Sequence, residues 1–387
     1  MIRTLVGFDT VSRESNLGLI EFVRDHLARH GVRSRLTYDA GGGKANLFAT
    51  VGEGRRPGIV LSGHTDVVPV DGQDWDTDPF TVHERDGRLY GRGTADMKSF
   101  IATALHYVPR FLAADMSGAV HLALSYDEEI GAFGVPLLLK DLEEAGIRPA
   151  GCIVGEPTSM EPVLAHKGTH RFRCCVRGRE AHSAMATLGV NSIEVAARLI
   201  VYIRHLAERY GQLETRDYGF PVPFTTLQTT MISGGTGQNI VPRDCEFLVD
   251  VRTLPGGSFD AIYDEVRRYA ATLEPAMKAV APEAGIGFEF LFTMPGFEVG
   301  DQDKVVQLAS HLARNSRFGK VSFGTEAGLF GQAGIPTVVI GPGDIAQAHT
   351  PNEFITLEQV VLAERFVERL IEHDAVLERA AAEAPRA

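Results

Sequence analysis

Ile59-Val60-Leu61-Ser62-Gly63-His64-Thr65-Asp66 is a short apolar run that ends in a glycine, an imidazole and a carboxylate. Its length and branched residues are those of a buried strand. Three runs downstream share this form. Val120–Leu124, read as a strand with period-two alternation, leads to Asp127-Glu128-Glu129. Cys152-Ile153-Val154 leads to Gly155-Glu156-Pro157, and Thr337–Ile340 leads through a glycine-rich loop to Gln347-Ala348-His349. Helical patterns separate them at Leu17–Ala28, Met97–Ala113, Val135–Glu144, Lys304–Arg314 and Leu357–Glu372. In the first of these, Leu19, Ile20, Val23 and Leu27 fall on one stripe. Such alternation predicts an α/β fold, a sheet with helices on both faces. Ligands of an open α/β sheet bind beyond the carboxyl ends of its strands. Four strands are therefore expected to bring His and acidic residues to one edge. A fifth acid, Asp96, opens the helix that follows Gly91-Arg92-Gly93-Thr94-Ala95.

The middle of the chain follows a different pattern. Strands are expected at Arg171–Val176, Thr225–Ile232, Glu246–Val251 and Phe288–Phe292. Helices are expected at Ser192–Arg209 and Ser258–Leu273, the second with Ser258 as its N-cap. The order βαββαβ describes a ferredoxin-like unit. α/β patterning resumes afterwards, so the expected organisation is a catalytic domain (1–168 and 291–387) interrupted by an inserted lid or dimerisation domain (169–290). The polar tail from Ala380 is expected to fray.

The 387 residues suit two domains of average size. A net charge of −12 excludes the basic field that would hold nucleic acid. No apolar run is long enough to span a bilayer, and Met1–Asp9 lacks the apolar core of a signal peptide. Cys152, Cys174, Cys175 and Cys245 lack C-x-x-C spacing and read as small buried thiols in a reducing cytosol. The expected location is cytoplasmic.

Singly, each candidate residue has a plain structural reading. A His beside an Asp is commonly a satisfied pair, and Glu128-Glu129 alone is a solvated loop. Together they read differently. So many acids at one edge would repel and hold protons unless cations neutralise them. Imidazoles with carboxylates suit Zn²⁺ or a similar divalent ion.

These segments resemble the M20 family of metallopeptidases and deacylases. The resemblance is carried by Ser62-Gly63-His64-Thr65-Asp66-Val67-Val68-Pro69, Gly91 to Lys98, Asp127-Glu128-Glu129-Ile130-Gly131, Gly155-Glu156-Pro157-Thr158 and Ala348-His349-Thr350-Pro351, in family order. It implies a di-metal aminopeptidase-like catalytic domain that holds two divalent ions, Zn²⁺ by default, with Co²⁺ or Mn²⁺ also accepted. Asp96 would bridge them, His64 and Glu156 would complete one site, and Glu129 and His349 the other. Asp66 would orient His64 through its other ring nitrogen. Glu128 would be the general base, taking a proton from a bridging water and returning it to the leaving amine. A cis peptide is implied at Asp96–Met97.

The family's lid motif resembles Gly178-Arg179-Glu180-Ala181-His182-Ser183-Ala184. His182 would donate to the oxyanion, often from the partner subunit of a homodimer; a surface strand-end residue is its other reading. The Gly234–Pro242 loop would face substrate through Asn239. Arg252 would hold a substrate carboxylate, or else form an ordinary salt bridge. Phe8-Asp9-Thr10-Val11-Ser12, Gly324-Thr325-Glu326-Ala327-Gly328-Leu329-Phe330 and Gly341–His349 resemble the branch that deacetylates N-acetylornithine. There Glu326 would pair with the side-chain ammonium, or else be a structural acid at a helix start. The expected partner is thus a small N-acyl amino acid, with no nucleic acid and no membrane. Desuccinylase, aminoacylase and dipeptidase are alternatives within the same chemistry, and a non-catalytic binding protein on this fold is an alternative from another class.

Overall fold

A computed structural model describes the backbone of residues 1–383 except Arg55 and Asp115, with side chains described through Asp374. The chain divides into two units. The first comprises Met1–Leu164, Glu298–Gly319 and the residues from Thr325 onward; the second comprises Ala165–Phe297 and Lys320–Gly324. The insert thus starts a few residues before the expected 169 and runs past the expected 290. Its first and last strands in the chain, Gly168–Arg177 and Gly285–Met294, are longer than their apolar centres indicate.

The sheet of the first unit includes, in order, Ser34–Tyr38, Ala45–Val51, Gly118–Ser125, Arg56–His64, Gly151–Val154 and Thr337–Val339. The last four run parallel to one another, so their carboxyl ends share one edge. Gly118–Ser125 does not alternate: every residue after Gly118 is buried. A parallel strand covered on both faces has no solvent side for polar residues to occupy. Leu19, Ile20, Val23 and Leu27 of the helix Leu17–Arg29 are completely buried, each contributing about 1.5–3 kcal/mol. The single helix expected over Met97–Ala113 is two, Lys98–His106 and Val108–Ala113. Pro109 has no N–H to give the carbonyl four residues back, and its ring crowds that carbonyl, so the first helix ends before it. The final helix extends through Glu383, which places part of the expected loose tail in regular structure; residues 384–387 lie outside the described residues.

The second unit has the expected βαββαβ order. Its antiparallel sheet runs Thr226–Gly234, Asp244–Thr253, Gly168–Arg177, Gly285–Met294. Phe172, Cys174 and Val176 alternate with more open neighbours and pack with Leu199, Ile203, Ile262 and Val266 of the two helices. Ser258 Oγ accepts the Ala261 N–H and caps Phe259–Val280 as expected. All four cysteines are free, and Cys175 is exposed rather than buried. Adjacent residues of a strand point to opposite faces, so Cys174 and Cys175 cannot both be inside.

Candidate metal centre

Four strand ends and one loop bring the site together within the first unit. The strand Arg56–His64 ends on His64, which is fully buried. Its Nε2 lies 2.9 Å from Asp96 Oδ1 and 3.9 Å from Glu156 Oε1. The other oxygen of Asp96 lies 3.2 Å from His349 Nε2, which is also 3.1 Å from Glu129 Oε2. Asp96 therefore offers one carboxylate oxygen to each imidazole. His64, Glu128 and Glu156 offer ligand atoms within 4.8 Å of one another, and so do His64, Asp96 and Glu129. The Asp96–Met97 peptide is cis, as the resemblance implies.

The charges of this cluster are unbalanced. Glu128, Glu129 and Glu156 are held above the ordinary carboxylate range by burial and by one another and Asp96. Asp96 is the exception: burial opposes its charge, but His349 and His64 hold its carboxyl low. Hydrogen bonds to Asp96 and Glu129 push His349 up to about 11. Burial opposes the charged form of His64, yet Asp66, Asp96 and Glu156 raise it well above its usual value. Glu156 Oε1 is buried with no hydrogen-bond partner. An unpartnered buried carboxylate oxygen costs about 1–3 kcal/mol or more. Two imidazole nitrogens facing carboxylates that crowd one another are a donor set suited to divalent cations. The residues present therefore fit such ions.

These charges give metal uptake a sign with pH. The carboxylates around His64 and His349 favour their charged forms, and an ion takes a neutral nitrogen, so binding displaces protons. Affinity therefore rises with pH, by about a factor of ten per unit for each proton released. Calorimetric titration of metal-free protein with Zn²⁺ at pH 7, in buffers of different ionisation enthalpy, should show net release of at least one proton. A buffer-independent heat would contradict the unbalanced charges.

Asp66 meets the other ring nitrogen of His64 and does more besides. The nearest partner of His64 Nδ1 is the Asp66 main-chain oxygen at 2.9 Å, and the carboxylate is 3.6 Å away. That carboxylate also accepts the backbone N–H groups of Glu128 at 3.1 Å and Glu129 at 3.3 Å, and the Ser12 hydroxyl at 2.7 Å. It holds the turn that carries both glutamates. Glu326 sits as the second of its two readings describes, an acid at a helix start. Its side chain is fully buried, and its two oxygens accept the hydroxyls of Ser62 and Ser125, so neither is open to a substrate ammonium. It ties together the strand ends that carry His64 and Asp127. Arg252 takes the second of its two readings: its guanidinium is engaged by Asp250 at 2.7 Å and the Thr169 hydroxyl at 2.8 Å.

In the second unit, His182 and Asn239 are exposed neighbours. Ala181–His182 pairs with Ile240–Val241, and the Ser183 N–H donates to the Asn239 carbonyl. Two groups at the metal centre escaped the sequence reading. Lys44 pairs with Asp127, next to Glu128, and donates to the Ser12 carbonyl. Glu353 accepts three backbone N–H groups around Asp96. Neither the spacing nor the type of these residues points to the site. Only the acid four positions beyond His349 was there to be noticed.

Residues 60–373 match the model of peptidase family M20/M25/M40. The chain is 36% identical to an acetylornithine deacetylase of Myxococcus xanthus, over 95% of each chain. It is 32% identical to one of Pasteurella multocida, over 95% of this chain and 94% of that one. Among solved structures, an M20 family metallo-carboxypeptidase of Sulfolobus solfataricus superposes with a TM-score of 0.75 at 17% identity, covering 97% of this chain and 98% of the other. A dinuclear metal-binding M20 peptidase of Bacillus subtilis superposes with a TM-score of 0.64 at 20% identity, over 98% and 97%. With the family model spanning most of its length and these relatives aligned nearly end to end, the chain belongs to peptidase family M20/M25/M40 and is a metal-dependent hydrolase of amides.

Proposed function

We propose that the chain hydrolyses the amide bond of N²-acetyl-L-ornithine, releasing L-ornithine and acetate, with two divalent ions, Zn²⁺ first among them. The observation that carries the reaction type is the buried edge where Asp96 faces both His64 and His349 while Glu156 Oε1 is left unpartnered. The acyl group and the amino acid rest on the relatives named acetylornithine deacetylase.

In this reading His64 and Glu156 hold one ion, His349 and Glu129 the other, and Asp96 is shared. Bound ions supply a water of lowered pKa and a polarised scissile carbonyl. The remaining steps belong to the chain. Glu128 is buried beside Glu156, and burial with that repulsion raises its pKa. With ions held by the neighbouring carboxylates that repulsion would ease, and Glu128 is placed to accept a proton and later return it. Asp66 keeps Glu128 aimed by holding its backbone N–H. We assign oxyanion donation to His182. Its Nδ1 accepts the Ala184 N–H, which leaves Nε2 as the protonated, donating nitrogen. Asn239 beside it is the polar contact for substrate, and Arg252, already paired with Asp250, is the group that would meet a substrate carboxylate.

A parallel assay of N²-acetylornithine, N-acetylmethionine, N-succinyl-diaminopimelate and a dipeptide checks the reading. The expected result is the highest kcat/KM for acetylornithine. A better rival would replace the substrate and keep the chemistry, whereas no turnover of any amide would remove the chemistry as well.

A further inference from the structure

Glu353 stands outside the set that faces the metal centre, yet its carboxylate is one of the most heavily used groups in the protein. It is almost completely buried. Its Oε1 accepts three backbone N–H groups of one loop: Gly93 at 3.1 Å, Ala95 at 2.8 Å and Asp96 at 3.1 Å. Its Oε2 accepts Arg92 Nη1 at 2.7 Å, and its own carbonyl accepts the Gly91 N–H at 2.9 Å. The Gly91–Asp96 loop is thereby wrapped around one side chain.

The same ion pair reaches the second imidazole. Arg92, itself buried, donates through Nη2 to Gln73 Oε1 at 2.6 Å and through Nη1 to the Thr350 carbonyl at 3.4 Å. Gln73 Nε2 donates to the His349 carbonyl at 3.1 Å. Glu353 also lies only four residues beyond His349, in the same segment. The backbone that carries Asp96 and the backbone that carries His349 are thus tied to one carboxylate–guanidinium pair.

A carboxylate shared between two ions must hold both oxygens in place, and productive metal geometry tolerates displacement of only about 0.5 Å. The side chain of Asp96 has two rotatable bonds, so its placement depends on the Cα–Cβ direction that the main chain imposes. The Asp96 N–H is the group Glu353 holds. We propose that Glu353 is a positioning residue for the metal centre: its carboxylate sets the backbone of Asp96 and, through Arg92 and Gln73, that of His349. This rests on the reading of Asp96 and His349 as ligands.

The test is Co²⁺ titration of metal-free protein, with folding followed separately by circular dichroism. In Glu353→Gln one oxygen still accepts amide N–H groups, but an NH₂ now confronts Arg92 or the loop. The variant is expected to fold with a lowered Tm and to bind Co²⁺ about tenfold or more weakly, within the range seen when residues behind metal ligands are lost. If the unpaired Arg92 prevents folding, Glu353→Gln with Arg92→Met, which buries no lone charge, is titrated instead under the same criterion. A folded variant whose Co²⁺ affinity equals that of the parent overturns the positioning role, whatever its Tm. A parent protein that binds no divalent ion overturns the metal-centre reading itself, so the two failures are told apart.

Discussion

Replacing Glu128 with alanine lowers kcat by about 10²–10⁴-fold, the range attributed to a positioned general base, while divalent ions are still taken up. The expectation separates two roles that adjacent glutamates can confuse. Glu129 lies 3.1 Å from His349 and shares that imidazole with Asp96. Glu128 has no such contact with His349; it groups instead with His64 and Glu156, and its backbone N–H is held by Asp66. Removing its carboxylate also removes one member of a set of mutually repelling acids, so uptake of ions need not collapse. Metal analysis beside steady-state kinetics of the variant checks both halves. Turnover equal to that of the parent would end the role of Glu128 as base; loss of both ions would make it a ligand.

Replacing Asp96 with alanine is expected to have a second, larger effect on the metal centre itself. Asp96 turns a different oxygen to each imidazole, one at 2.9 Å from His64 and the other at 3.2 Å from His349. Without it His64 Nε2 keeps Glu156 at 3.9 Å and His349 keeps Glu129 at 3.1 Å, with no carboxylate of the described residues in direct contact with His64 Nε2. Bound metal should fall from two ions per chain to one or none. The loss of affinity should exceed the roughly 10–100-fold that accompanies loss of an outer-shell residue. Turnover should vanish with the metal rather than ahead of it. Equilibrium dialysis followed by elemental analysis measures this, and retention of two tightly held ions would remove the bridging role.

Much of this site was legible because its residues follow strands. A strand is recognised by a short branched apolar run, and in a parallel sheet the run's end is also a spatial address. His64, the Asp127–Glu129 turn, Glu156 and His349 were therefore placed at one edge before any coordinates. The helix break at Tyr107 was also present in the sequence, as Pro109, but apolar periodicity runs across it. The burial of Gly118–Ser125 on both faces was not legible, since polar His121 and Ser125 interrupt the run and suggest an open face. His121 is stacked on Phe48 and bonded to Thr50 inside the sheet.

Residues that act through hydrogen bonds to main chain were the ones misread or missed. Glu326 was left between a substrate contact and a structural acid, and its two oxygens accept serine hydroxyls from distant strands. Arg252 was left between two readings that only the position of Asp250 decides. Asp66 faces His64 Nδ1 and in addition holds the Glu128 and Glu129 amides, a task its sequence position does not announce. By itself the sequence determined the fold class, the βαββαβ insert and which residue types converge at one sheet edge, because periodicity and strand ends are local properties of the chain. Only the tertiary structure decided which carboxylates face the imidazoles and which are spent on backbone N–H groups or hydroxyls. An acid's role depends on the donors within about 3 Å of it, and those donors come from segments far away in sequence.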